Sequence, residues 1–204
     1  MTIRNLEYLF KPRSIAVIGR GKSPGGPDAT VEFNLIEGGF KGPVMPVNPD
    51  HLSISGVLAY KDIASLPVSP ELAILTTPLE EAPNLISQLG QRGTRAALLL
   101  SREVLQDHRG AQVALLSQDM RRKYPDEGES LKQQILDAAK PYLLRIMGPD
   151  HLGYAVPATN LNASLSSQRP LAGQIALLCQ SAAVMRSVID WANSRNIGFS
   201  HVIS

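Results

Sequence analysis

Ser14-Ile15-Ala16-Val17-Ile18-Gly19-Arg20-Gly21-Lys22-Ser23-Pro24-Gly25-Gly26 joins an unbroken apolar run to a glycine-rich loop carrying two cations. A run without polar alternation is a strand covered on both faces, because a half-solvated strand alternates apolar and polar residues. The glycines let backbone N–H groups approach a phosphate, and a helix starting near Asp28 or Ala29 adds positive potential at its N-terminus. Arg20 and Lys22 put charge on the same loop. The competing reading is a turn that only connects strand to helix.

Working outward, runs of the same kind recur at Val44 to Val47, Leu72 to Thr76, Ala96 to Leu100 and Leu144 to Met147. Between them, Val31, Leu35 and Ile36, then Leu79, Leu85, Ile86 and Leu89, fall at helical spacing. Strand, helix, strand order with long crossovers and continuous apolar strands specifies an α/β fold, a doubly wound parallel sheet over roughly residues 1–150. The second crossover adds a β-prone stretch, Ser53 to Tyr60, and one helical turn, Asp62 to Leu66. Between Arg102 and Lys140, Val113, Leu115 and Leu116, then Leu131, Ile135 and Leu136, suggest two helices, separated by Tyr124-Pro125-Asp126-Glu127-Gly128.

From 151 to 173 the composition shifts to Asn, Ser, Ala and Pro with little periodicity, which reads as a connector. A second strand-helix-strand unit occupies 174–204, from Gln174 to Leu178, Ala182 to Ser194 and Phe199 to Ile203. Two parallel strands and one helix cannot cover their own sheet, so this unit needs more chain, a partner or the first domain's surface. Truncation of a second α/β domain is the simplest account.

Bulk properties exclude several function classes. With 204 residues, a formal net charge of +2 and 19% charged residues, the chain carries no large field of either sign, so neither nucleic acid nor an anionic membrane is an expected partner. The single cysteine, Cys179, cannot form an internal disulfide. No export signal or apolar run of spanning length is present, and a cytoplasmic location is expected.

Familiar chemistries fail on particular residues. A dinucleotide site expects an acidic residue at the end of the second strand, where this chain has Val47-Asn48-Pro49; NAD is disfavoured, with Asp50 close enough to keep it open. Gly21-Lys22-Ser23 lacks the earlier glycine of a Walker A loop. His51, His108, His151 and His201 show no metal-ligand spacing, and no metal is expected. Cys179-Gln180-Ser181-Ala182-Ala183 lacks the hydrolase elbow, so Ser181 is not read as a nucleophile. No catalytic residue is assigned. Ile189 and Trp191 read as core, and Arg121-Arg122-Lys123 as a solvated helix end.

The ordered motifs Leu6 to Gly19, Gly38-Gly39-Phe40-Lys41-Gly42-Pro43-Val44, Val47-Asn48-Pro49, Gly148-Pro149 and Leu161-Asn162-Ala163-Ser164 resemble the N-terminal CoA-binding domain of NDP-forming acyl-CoA synthetases, with the succinyl-CoA synthetase α subunit a distant relative. Ile63 to Pro67, Gln180 to Val184, Asp190-Trp191-Ala192 and Gly198-Phe199-Ser200 look closer to bacterial protein lysine acetyltransferases, which fuse a synthetase-like region to a GNAT domain. The resemblance implies a Rossmann-like CoA-binding domain followed by the start of a flavodoxin-like one. It implies CoA or acetyl-CoA held by Gly19, Arg20, Gly21, Lys22 and Ser23, by Val47, Asn48, Pro49 and His51, by Thr76, Thr77 and Pro78, and by Leu100, Ser101 and Arg102. Where relatives often carry a lysine after the second strand, Asp50 and His51 imply a weaker or pH-sensitive hold on a 3′-phosphate. Asp150, following Gly148-Pro149, adds a carboxylate, and Cys179 stands where a serine is usual, as a small packed residue.

The leading expectation is a CoA-binding, regulatory region of a lysine acetyltransferase lacking the catalytic part. The alternatives are a fragment of a working NDP-forming acyl-CoA synthetase, and a vestigial module serving oligomer assembly. Expected partners are CoA or an acyl-CoA and the remaining domains of the parent chain, with a homo-oligomer left open.

Overall fold

The computed structural model describes residues 3–20, 26–100, 125–149 and 151–204. Five short strands, β1 (Ile15–Ile18), β2 (Val44–Val47), β5 (Leu72–Leu75), β6 (Ala96–Leu99) and β7 (Arg145–Met147), form one sheet in the order β2-β1-β5-β6-β7. All four pairings are parallel and in simple register, Ile15 facing both Val44 and Leu72. Pro46 is tolerated within β2 because that strand lies at the sheet edge, where a ladder donor is dispensable.

The alternate residues of each strand feed two separate cores, as a doubly covered sheet requires. Ile15, Val17, Leu72, Ile74, Ala96 and Leu98 pack with Val31 and Leu35 of α2 (Pro27–Ile36). Ala16, Ile18, Ala73, Leu75, Ala97 and Leu99 pack with Ile86 and Leu89 of α3 (Ala82–Gln91) and Ile135 and Ala139 of α4 (Pro125–Ala139). A short α1 (Glu7–Phe10) precedes β1. The α/β, doubly wound architecture expected from the apolar runs is the observed one. Gly128, expected to interrupt the last crossover, lies inside α4, which begins at Pro125, the helix position where a missing N–H costs nothing. The expected helix carrying Val113, Leu115 and Leu116 lies outside the described residues.

The β-prone stretch after β2 is a two-rung hairpin, β3 (Ser53–Ile54) with β4 (Val57–Leu58). Asp62 to Leu66 is a tight turn rather than a helix. Asp62 Oδ1 accepts from Ser65 N at 2.8 Å and Ser65 Oγ donates to Asp62 O at 2.8 Å. That closure turns Ile63 and Leu66 into the core.

The segment read as a connector is a hairpin. β8 (Gly153–Val156) and β9 (Leu161–Ser164) pair antiparallel and join β10 (Ala172–Leu178) and β11 (Phe199–Ile203) in a second sheet, ordered β10-β11-β8-β9. Its lack of apolar periodicity has a physical cause. Asn162, Ser164 and Ser166 are buried but bonded, Ser164 Oγ donating to Asn162 Oδ1 at 2.6 Å, so polar residues occupy core positions. Gly153 is required there: its φ is +98°, and a Cβ would lie 2.2 Å from Ala163 O.

The second sheet leans on the first domain's α2 face. Tyr154, Leu161, Ala163, Phe199 and Val202, with Met185 and Ile189 of α5 (Ala182–Asn193), belong to the same core as Val17 and Leu35. The Tyr154 hydroxyl donates to Leu9 O, and its ring meets Phe10 edge-on at 5.3 Å. Burial holds that phenol far above its ordinary pKa. Trp191 is not the core residue expected. It is 51% exposed, with the Arg195 guanidinium 4.6 Å from its ring centre. Nearly every residue of β10 is exposed.

Candidate functional site

In the order β2-β1-β5-β6-β7 the chain reverses direction of travel across the sheet between β1 and β5. The loop leaving β1 leads to α2 on one face, and the loop leaving β5 leads to α3 on the other. Loops that diverge open a crevice beyond the strand ends, the place where doubly wound sheets take ligands.

Backbone bonds continue the ladder into this crevice. Gly19 N donates to Val47 O at 3.2 Å, Thr76 N to Ile18 O at 2.9 Å and Leu100 N to Leu75 O at 2.8 Å. The structure thus brings together Gly19, Arg20, Val47, Asn48, Thr76, Thr77 and Pro78 around adjacent strand ends. Val47 and Leu100 belong to the two cores, so only their main chains are left for the crevice. Pro49 and His51 are exposed. Gly21, Lys22, Ser23, Ser101, Arg102 and Asp150 lie outside the described residues.

Two side chains at the crevice have unspent hydrogen-bonding capacity. Asn48 is 2% exposed; its Oδ1 accepts from Asp50 N at 2.9 Å, while its Nδ2 has no partner among the described residues. Thr77 is 5% exposed and its hydroxyl is likewise unpartnered. Buried polar groups are normally bonded, so a donor and a hydroxyl left open at the ends of β2 and β5, on either side of β1, fit a ligand rich in oxygen acceptors. Thr76 differs, since its hydroxyl already donates to Ile18 O at 3.2 Å.

Gly19 is required by packing at this point. A Cβ there would fall 2.6 Å from Asp28 Cβ and 2.8 Å from Thr76 Oγ1. The missing side chain admits the first turn of α2, whatever a phosphate requires.

The acids of that helix were not legible as site groups. Asp28 and Glu32 sit one turn apart on its buried face, 5% and 2% exposed. Burial, and then the neighbouring Asp28 charge, push the Glu32 carboxyl up to about 8. Further along the same helix, Asn34 Nδ2 donates to Ser164 O at 2.9 Å and Ser166 O at 2.8 Å, tying α2 to the second sheet. Arg20 pairs with Glu81 at 3.2 Å.

At the start of α5, Ser181 acts as the N-cap, its Oγ accepting from Val184 N at 3.3 Å, and the Cys179 thiol lies 3.3 Å from Ser181 O. Among the described residues no three His, Cys, Asp or Glu side chains are grouped to hold a metal ion, and no helix is long and apolar enough to cross a membrane.

Comparison with known proteins adds to this geometry. A family model described as a CoA binding domain matches residues 13–157, and one described as a succinyl-CoA ligase like flavodoxin domain matches 172–204. The chain is 29% identical over 204 residues to the acetate–CoA ligase [ADP-forming] I subunit alpha of Pyrococcus furiosus, covering 98% of this chain and 40% of the relative. It is 30% identical over 199 residues to acetate–CoA ligase [ADP-forming] I of Archaeoglobus fulgidus, covering 98% of this chain and 26% of that protein. A solved structure of the dinucleotide forming acetyl-coenzyme A synthetase 1 of Ca. Korarchaeum cryptofilum, in complex with phosphate and ADP, superposes with a TM-score of 0.78 at 27% identity, covering 98% of this chain and 39% of that one. The chain therefore spans about two fifths or less of each of these proteins.

Proposed function

This chain belongs to the family of CoA binding domains, and from that premise we propose that it is the CoA-binding portion of an NDP-forming acyl-CoA synthetase, with CoA lying across the crevice between β1 and β5. The observation that carries the reading is the pair of buried groups, Asn48 Nδ2 and the Thr77 hydroxyl, that have no partner among the described residues and lie at the ends of β2 and β5, the two strands that flank β1.

Phosphates and ribose oxygens supply the acceptors these groups lack. Gly19 to Ser23, Val47 to His51, Thr76 to Pro78 and Leu100 to Arg102 form the proposed walls. Asn48, in place of an acid at the end of β2, argues against a ribose held as in a dinucleotide site. The ligase relatives support a synthetase part over the acetyltransferase region expected from the C-terminal motifs. The synthetase reaction, joining an acid to the CoA thiol at the expense of a nucleoside triphosphate, belongs to the whole protein under this reading.

The test is isothermal titration of the folded chain with CoA, acetyl-CoA, NAD and ADP in parallel. Heat confined to CoA and acetyl-CoA supports the proposal. Saturable binding of NAD, or silence with all four, overturns it.

A further inference from the structure

The loops that leave β1 and β5 part toward opposite faces of the sheet, and one ion pair ties them together again. Arg20 directly follows Gly19 on the β1 side, and Glu81 closes the turn before α3 on the β5 side. Arg20 Nη2 and Glu81 Oε2 are 3.2 Å apart, with the arginine side chain 61% exposed and the glutamate 30% exposed. The pair therefore bridges the crevice described above.

Resting on the CoA reading, we infer that Glu81 is an affinity-setting residue of this site, because it holds the guanidinium that an entering phosphate needs. Arginine's donors match carboxylate and phosphate oxygens alike, so the same N–H groups serve either partner but not both fully. Ligand entry is an exchange: the Arg20–Glu81 contact breaks and an Arg20–phosphate contact forms. The net gain is the difference between the two.

Salt follows from the same exchange. Screening weakens the latch as well as the phosphate contact, so the unmodified protein loses affinity with salt less steeply than a variant without the latch.

The experiment is titration of CoA into the whole chain, its Glu81→Gln, Glu81→Ala and Arg20→Ala variants and the Arg20→Ala, Glu81→Gln double variant, at low and high salt. Circular dichroism and a melting temperature establish that each is folded. Glu81→Gln binds CoA about two- to fivefold more tightly, the range an exposed ion pair supplies, and with a steeper salt dependence. Arg20→Ala binds more weakly, and adding Glu81→Gln to it recovers little. Glu81→Ala gives the same result as Glu81→Gln. Equal or weaker affinity in both Glu81 variants overturns the latch while leaving the CoA reading intact. A full gain from Glu81→Gln in the Arg20→Ala background also overturns it, since Glu81 then acts without Arg20. Absence of CoA binding in every folded variant overturns the CoA reading and the latch together.

Discussion

Replacing Glu32 by glutamine should flatten the pH dependence of this protein's stability between roughly pH 5 and 8. The carboxyl is 2% exposed, one helical turn from Asp28, and burial followed by that charge holds it at about 8 against an ordinary 4.5. The folded chain therefore binds the Glu32 proton more tightly than the unfolded chain does. Stability is greatest below the unfolded value, falls as pH rises through the interval and levels off above the folded value. Between pH 5 and 8 the loss attributable to this group is about 3 to 4 kcal/mol. That is a large share of the roughly 5–15 kcal/mol that holds an ordinary domain together. Glutamine keeps the shape of the protonated acid and cannot ionise, so the variant loses this component. The assay is urea unfolding followed by circular dichroism at pH 5, 6, 7 and 8 for both proteins. The difference between their unfolding free energies should shift steadily in the variant's favour as pH rises. Parallel curves, with a difference constant to within about 0.5 kcal/mol, would refute the assignment of a buried, protonated Glu32.

Two further substitutions probe the same helix. Gly19→Ala should cost about 1–3 kcal/mol of stability, because its Cβ meets Asp28 and Thr76 below 3 Å; loss of CoA affinity with an unchanged melting temperature would show that the glycine serves the ligand instead. Asn34→Ala leaves the Ser164 and Ser166 carbonyls without their donor and should cost about 2–4 kcal/mol, with faster amide exchange across residues 161–168, whereas an unchanged urea midpoint would mean that water replaces the amide freely.

The parallel sheet was readable because each strand is a short, uninterrupted apolar run, and a strand buried on both faces can be little else. β8 and β9 escaped because their burial is achieved through hydrogen bonds. Asn162 and Ser164 look like loop residues until Asn34, a helix residue more than a hundred positions earlier, is seen to share the same buried network. Trp191 was misread although the sequence held the signal: Met185, Ile189 and Ala192 keep one helical stripe, and Trp191, two residues after Ile189, falls off it. Of the candidate site, the strand-end residues were legible because a doubly wound sheet dictates where its loops gather. The Arg20–Glu81 pair was not, since 61 positions separate the two residues and only the divergence of the β1 and β5 loops sets them opposite each other. The Asp28–Glu32 pair was hidden by its position on what reads as an ordinary amphipathic helix.

α2 is anchored at both ends to different things. Its first turn presses against Gly19 and Thr76 at the mouth of the crevice, and Asn34 near its other end is bonded to the hairpin of the second sheet. A helix of ten residues is a stiff rod about 15 Å long. Whatever displaces its first turn by a few tenths of an ångström must either strain the two Asn34 bonds or carry residues 164–166 along with it. Close-packed interiors resist the first and favour the second. The helix is in that sense a mechanical lever, with one end at the crevice and its load on the second sheet.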